Sequence, residues 1–320
     1  MTIEELKNLI KQSYLYVLAV VAVLTVALLV YIYLDNPRGE QGFGNLPAPK
    51  VESKLSDKVK ITSSGNFSGS FPKVINVYKK AQALDAKDLA KKLEFTGEPK
   101  VENDTFYWEG LAKSLTVTKI TFNFLVNSTI GAKTLNEEEA FTKATATLKS
   151  LDLAGGDIVL EKIGTAYLLV NPYHVEEVLV SNANVYSIQM GAKLDSVKVV
   201  NSLGSGTLYT VDIGVDGSVR KIQGSLEKLS FTEKSTYPIK HLSTVKKEIK
   251  EEKLKVVDLS NKIVPNQQLR VTYNKAELVY YLSTGSTEYL QPIFLLTSAE
   301  PFRGNMMTGV LEALKDEVYR

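Results

Sequence analysis

Residues 14–34 (YLYVLAVVAVLTVALLVYIYL) form 21 consecutive residues without a charge. As a helix, such a run is long enough to cross a bilayer core of about 30 Å, and everything after it has ordinary water-compatible composition. The run exceeds the roughly 7–15-residue core of a cleavable signal peptide and ends without an A-x-A pattern, so it reads as an uncleaved anchor. Tyr14, Tyr16, Tyr31 and Tyr33 mark its two ends as interfacial belts would. Lys7 and Lys11 precede it and Arg38 follows it, a bias that puts the N-terminus in the cytoplasm and the body outside. Within the span, Ala19, Ala22 and Ala27 are the small residues through which helices pack closely in lipid, and they are the candidate partner contacts there.

Composition narrows the chemistry. The chain of 320 residues contains no cysteine, which excludes disulfides, thiol catalysis and thiolate metal sites. A formal charge of +2, with both signs interleaved, supplies no field to gather nucleic acid. Two histidines, His174 and His241, lie far apart and outside any H-E-x-x-H setting. S-x-x-K recurs at Ser70, Ser225 and Ser243 without the partner motifs of penicillin-binding enzymes. DIGVDG, from Asp212 to Gly217, begins like a calcium loop but has Gln223 where a bidentate Glu is needed. No cofactor, metal or catalytic set is expected.

Along the chain, residues 35–57 are rich in Gly, Pro and charge and read as a linker. Residues 79–92 place Ala83, Leu84, Leu89 and Leu93 at helical spacing, and Gly97 and Pro99 stop the run. Residues 105–127 alternate, with Leu115, Val117, Ile120, Phe122 and Phe124 on strand-like positions. Residues 136–151 open with an N-cap Asn136 and three acids that suit a helix N-terminus, and carry Ala140, Phe141, Ala144 and Leu148 on one face. In the second half, strands are expected at 166–170, 185–189 and 197–200, and a hairpin closes at Asp216-Gly217 as a type I′ turn. A polar helix over 243–252 precedes two paired strands at 268–281 and 289–297, the second carrying Pro292. The single tryptophan, Trp108, begins a strand run and is read as an aromatic anchor, in the core or at a domain junction in preference to a partner hot spot.

The order of apolar span, Pro/Gly linker, AKDLAKKLEF helix, strands from Trp108, NEEEAFTKA helix, VDIGVDGSVRKIQG hairpin, YPIKHLSTV segment and closing YYL…YLQPIFLL resembles the YycH/YycI-type regulatory proteins of Gram-positive bacteria. That resemblance, over roughly residues 80 to 300, implies one N-terminal anchor helix, PepSY-like extracytoplasmic units, binding to a cell-wall sensor kinase and no catalytic residues. Where such proteins show an E-A pair leading an alanine-rich helix, this chain has Leu242-Ser243-Thr244-Val245.

The expected fold class is therefore α+β. A cytoplasmic stub and transmembrane helix (1–34) and a linker (35–60) lead to two PepSY-like units of antiparallel sheet plus helices, 61–155 and 156–300. A tail over 301–320 is a helical candidate. The expected function is binding without catalysis, as a single-pass regulator of a membrane sensor kinase or other envelope partner. The alternative is a scaffold in envelope or surface-appendage assembly.

Overall fold

The computed structural model describes residues 24–26, 42–51, 53, 60–81, 84–171, 174–202, 204–227, 229–258, 268–282, 288–300 and 307–319. Among these the chain forms seventeen strands, three α-helices and one 3₁₀ turn, besides the helical residues Leu24, Thr25 and Val26. In chain order, β1 (Lys60–Gly65) and β2 (Val74–Lys80) precede α1 (Ala86–Lys92). A meander follows: β3 (Lys100–Glu102), β4 (Thr105–Glu109), β5 (Lys113–Val117) and β6 (Thr121–Val126). After α2 (Glu137–Ser150) come β7 (Val159–Asn171), β8 (His174–Glu177), β9 (Val185–Leu194), β10 (Val197–Val200), β11 (Tyr209–Gly214), β12 (Val219–Ser225) and β13 (Phe231–Pro238). The chain closes with α3 (Leu242–Lys250), β14 (Lys255–Asp258), β15 (Gln268–Tyr281), β16 (Tyr289–Ser298), β17 (Thr308–Glu312) and the 3₁₀ turn Asp316–Val318.

The pairings divide into two arrays. The first runs β3-β4-β5-β6-β12-β11-β9-β7-β8, every pair antiparallel. In the second, β15 pairs with β16 on one side and with β1 and β10, both parallel, on the other. β16 carries β17 and β2 on its far side, β17 carries β14, and β2 carries β13. The β9–β10 hairpin joins the arrays. Its two-residue turn, Asp195 and Ser196, has φ of 49° and 65°, the double positive φ of a type I′ turn. One buried cluster runs from Leu115 and Ile188 in the first array to Tyr273 and Phe294 in the second, so both face a common core.

Local chemistry explains the elements. Asn136 Oδ1 accepts from the Glu139 N–H at 3.0 Å while Glu139 Oε2 accepts from the Asn136 N–H at 2.8 Å, a full capping box for α2. Ala140, Ala144 and Leu148 are that helix's buried face. α1 starts only at Ala86, capped by Asp85, because Lys79 and Lys80 are strand residues paired with β13. The β11–β12 hairpin forms at the expected place, but its turn differs. Gly217 donates to the Gly214 carbonyl at 2.8 Å and Gly214 to the Ser218 carbonyl at 2.8 Å, and of the loop residues Gly217 alone takes positive φ (+82°). This is a type I turn with a G1 bulge, which needs one left-handed residue and not two.

Two expectations are overturned. Two PepSY-like α+β units give way to a large mixed sheet of 17 strands with few short helices, because strand pairing claims even the segments read as connectors. The transmembrane helix is also corrected, and with it the single-pass anchoring and extracytoplasmic placement built on it. No helix among the described residues is long and apolar enough to cross a membrane. An apolar run of spanning length is a requirement for such a helix and does not by itself make one. Of residues 14–34, Leu24, Thr25 and Val26 alone are described, as helix, and Ala19, Ala22 and Ala27 lie outside the described residues.

Candidate functional site: the open edge of β7

β7 is the longest strand of the first array, and its two edges are used unequally. Along one edge β9 pairs with it from Val159↔Lys193 to Leu168↔Val185. Along the other, β8 covers only Leu168 to Asn171, and the Val178 N–H adds a bond to the Tyr167 carbonyl at 2.8 Å. Among the described residues, no strand pairs with the stretch from Val159 to Ala166 on that edge. An unpaired row of N–H and C=O groups is a template for another strand.

A few apolar side chains on and beside this edge are exposed. Val159 is 63% and Ile163 46% exposed on β7, and Val175 is 58% exposed on β8. Beyond β8, Leu179 is 76% and Val180 49% exposed. A register shift between Lys162 and Gly164 marks a bulge that resets the alternation of β7. Ile163 then lies across Gly191 of β9, where a Cβ on Gly191 would stand 2.7 Å from Ile163 Cδ1 and 2.8 Å from the Gly206 carbonyl. Only glycine admits that approach.

The opposite face of the edge strand is held firmly. Glu137, in the first turn of α2, accepts from Tyr167 OH at 2.7 Å, Thr165 Oγ1 at 2.8 Å and Lys162 Nζ at 3.0 Å. The Tyr167, Lys162 and Thr165 hydrogen bonds, in that order, outweigh burial and hold the Glu137 carboxyl below its ordinary range. β7 is thus fastened to α2 on one face and, among the described residues, unpaired from Val159 to Ala166 along one edge. Binding at such an edge costs little reordering.

Two other polar clusters serve the architecture. Lys240 Nζ, on a residue 7% exposed, bonds Glu248 Oε1 and Oε2 at 3.0 and 3.1 Å and Asp316 Oδ1 at 2.8 Å. It ties α3 to the 3₁₀ turn beside a cavity of about 370 Å³ that Lys253, Lys255 and Glu312 also line. Burial alone would lower the Lys240 pKa, but the Asp316 and Glu248 hydrogen bonds outweigh it and leave the ammonium above its usual value. Acids and bases in this cluster balance, so no net charge is left to attract a ligand. At the junction of the arrays, Asp195 accepts from Tyr78 OH and, at 2.8 Å, from Asn76 Nδ2. Burial first and the Asp195 hydrogen bond second push the Tyr78 hydroxyl up to about 12.

The residues singled out from sequence do not converge. Trp108 is 4% exposed, donates Nε1–H to the Gly97 carbonyl at 3.0 Å and stacks on Phe106 at 6.0 Å. His174 lies on the exposed strand β8, with Nε2 3.6 Å from Glu176, and His241 is the N-cap of α3. Asp216 accepts from the Gly131 N–H at 2.7 Å and from the Ser218 N–H and hydroxyl at 3.0 and 2.6 Å. Its burial alone would raise the carboxyl, but those bonds outweigh it and hold the pKa below the usual value. Among the described residues no group of three or more His, Asp or Glu is placed to hold a metal ion. The β7 edge escaped the sequence reading because VLEKIGTAYLLVN shows no clean alternation, and which strand ends a sheet is a tertiary fact.

No protein-family model and no curated protein matches the chain. Among solved structures it is similar to an uncharacterized protein from Eubacterium rectale ATCC 33656, with 14% identity, covering 80% of this chain and 88% of that one, at a TM-score of 0.36.

Proposed function

We propose that this chain acts by binding a partner polypeptide and not by catalysis, and that the open edge of β7 is its recognition element. The observation that carries the reading is the unpaired stretch from Val159 to Ala166, with Val159, Ile163 and Val175 exposed beside it. Strand addition supplies affinity through main-chain hydrogen bonds and selectivity through alternate side chains. A regulator and a scaffold would both use such an edge.

Selection of random peptides from a display library against the full-length chain tests this. Enriched peptides should lose at least tenfold in affinity for the double variant Val159→Lys/Ile163→Lys, whose melting temperature should stay within a few degrees because both side chains are exposed. Enriched peptides that bind the double variant undiminished would overturn the reading.

A further inference from the structure

Resting on that proposed function, we infer that the segment received by the β7 edge is an extended strand of another protein in which apolar residues alternate with lysine or arginine. The backbone and the exposed apolar side chains call for a strand. The charges around them say which kind.

The first turn of α2 presents Glu137, Glu138 and Glu139 next to β7. Asp157 precedes the strand, and Glu176 and Glu177 lie on β8. The cations nearby are already engaged. Lys162 bonds Glu137 at 3.0 Å and also Glu138, and Lys193 bonds Glu161 at 2.5 Å. Among the described residues Asp157 and Glu177 have no ion-pair partner, and Glu176 has only His174 at 3.6 Å. The open edge therefore lies in a negative field. Opposite charges across a strand pair stabilise it and like charges destabilise it. A second copy of this chain, brought edge to edge, would bring two acidic surroundings together, Asp157, Glu176 and Glu177 of each. A basic strand would meet them with the complementary sign, and that complementarity also speeds encounter.

The experiment uses the full-length chain and three fluorescent eight-residue peptides: alternating valine and lysine, alternating valine and glutamate, and the valine–lysine peptide with two valines replaced by proline. Anisotropy gives affinity and amide hydrogen exchange gives location. The expected result is binding of the valine–lysine peptide at least tenfold tighter than either other, with slowed exchange over residues 159–166. Glu176→Lys/Glu177→Lys should weaken that peptide severalfold. Equal affinity for the lysine and glutamate peptides, both protecting residues 159–166, would overturn the basic partner and leave strand addition standing. Protection of residues 159–166 by neither peptide would overturn both readings. Binding of the proline-containing peptide as tightly as the valine–lysine peptide would reduce the contact to charge alone and overturn the extended strand. A concentration-dependent dimer with residues 159–166 protected in the absence of peptide would overturn the inference in favour of a second copy.

Discussion

Gly217 holds the tightest backbone requirement in the β11–β12 hairpin. Its φ of +82° is the region where a Cβ collides with the chain, and a Cβ there would also stand 3.2 Å from Leu135 Cδ1. Gly217→Val should destabilise the protein by about 1–2 kcal/mol, the cost of left-handed backbone in a side-chain-bearing residue. Urea denaturation measures it, and a neutral outcome would mean the turn has rebuilt. The sequence located this turn because Asp-Gly between alternating residues is a local signal. It mistook the turn type because the choice between one and two left-handed residues depends on how Asp216 is held, by Gly131 and Ser218. Glu248 makes the contrasting case. Read as one polar residue of a charged helix, it is 3% exposed and faces Lys240. Removing one partner of a buried pair leaves the other charge stranded, so Glu248→Ala should cost about 3 kcal/mol, while an apolar replacement of both Lys240 and Glu248 should cost less. Thermal melts of the single and double variants decide it.

At the scale of elements, α2 and β7 act as a unit through Glu137. Its folded pKa lies below the ordinary value, so the unfolded chain binds the proton more readily. Its contribution to stability is therefore fully present above the unfolded pKa of about 4.5 and is lost as pH falls through the folded value. Glu137→Gln should lower stability at neutral pH, and the gap to the parent should close as the solution is acidified below about 4.5. Denaturant midpoints across that range are the measurement, and a gap independent of pH would assign the effect to packing. The strands at 268–281 and 289–297 are legible in the sequence because runs rich in Val, Tyr, Ile, Phe and Leu favour strand. Pro292 sits between the last β2 contact at Leu290 and the first β17 contact at Ile293, where β16 changes neighbours. The helix expected over 79–92 lost its first turn to β2, since a register of cross-strand bonds with β13 outweighs a weak helical spacing. The β9–β10 turn is not legible in the sequence because Asp195-Ser196 lacks the glycine that advertises most two-residue hairpins.

For the whole molecule, pairing partners far apart in sequence decide behaviour. β6 pairs with β12 and β2 with β13, and one core runs beneath both arrays. Unfolding should accordingly show one transition, with Trp108 fluorescence from the first array and far-ultraviolet circular dichroism coinciding in denaturant. Two separated midpoints would mean that the arrays unfold independently. None of this long-range order was readable from local pattern, because alternation identifies a strand without naming its neighbour. The parallel pairing of β1 with β15, Lys60 opposite Gln268, sets a timetable for synthesis. A chain emerging from the ribosome amino end first makes β1 early and must keep it unmatched until β15 follows, whereas β2 waits only for β13. The earliest strand is locked by nearly the last, so a truncated product lacking the final strands would lose its beginning as well as its end.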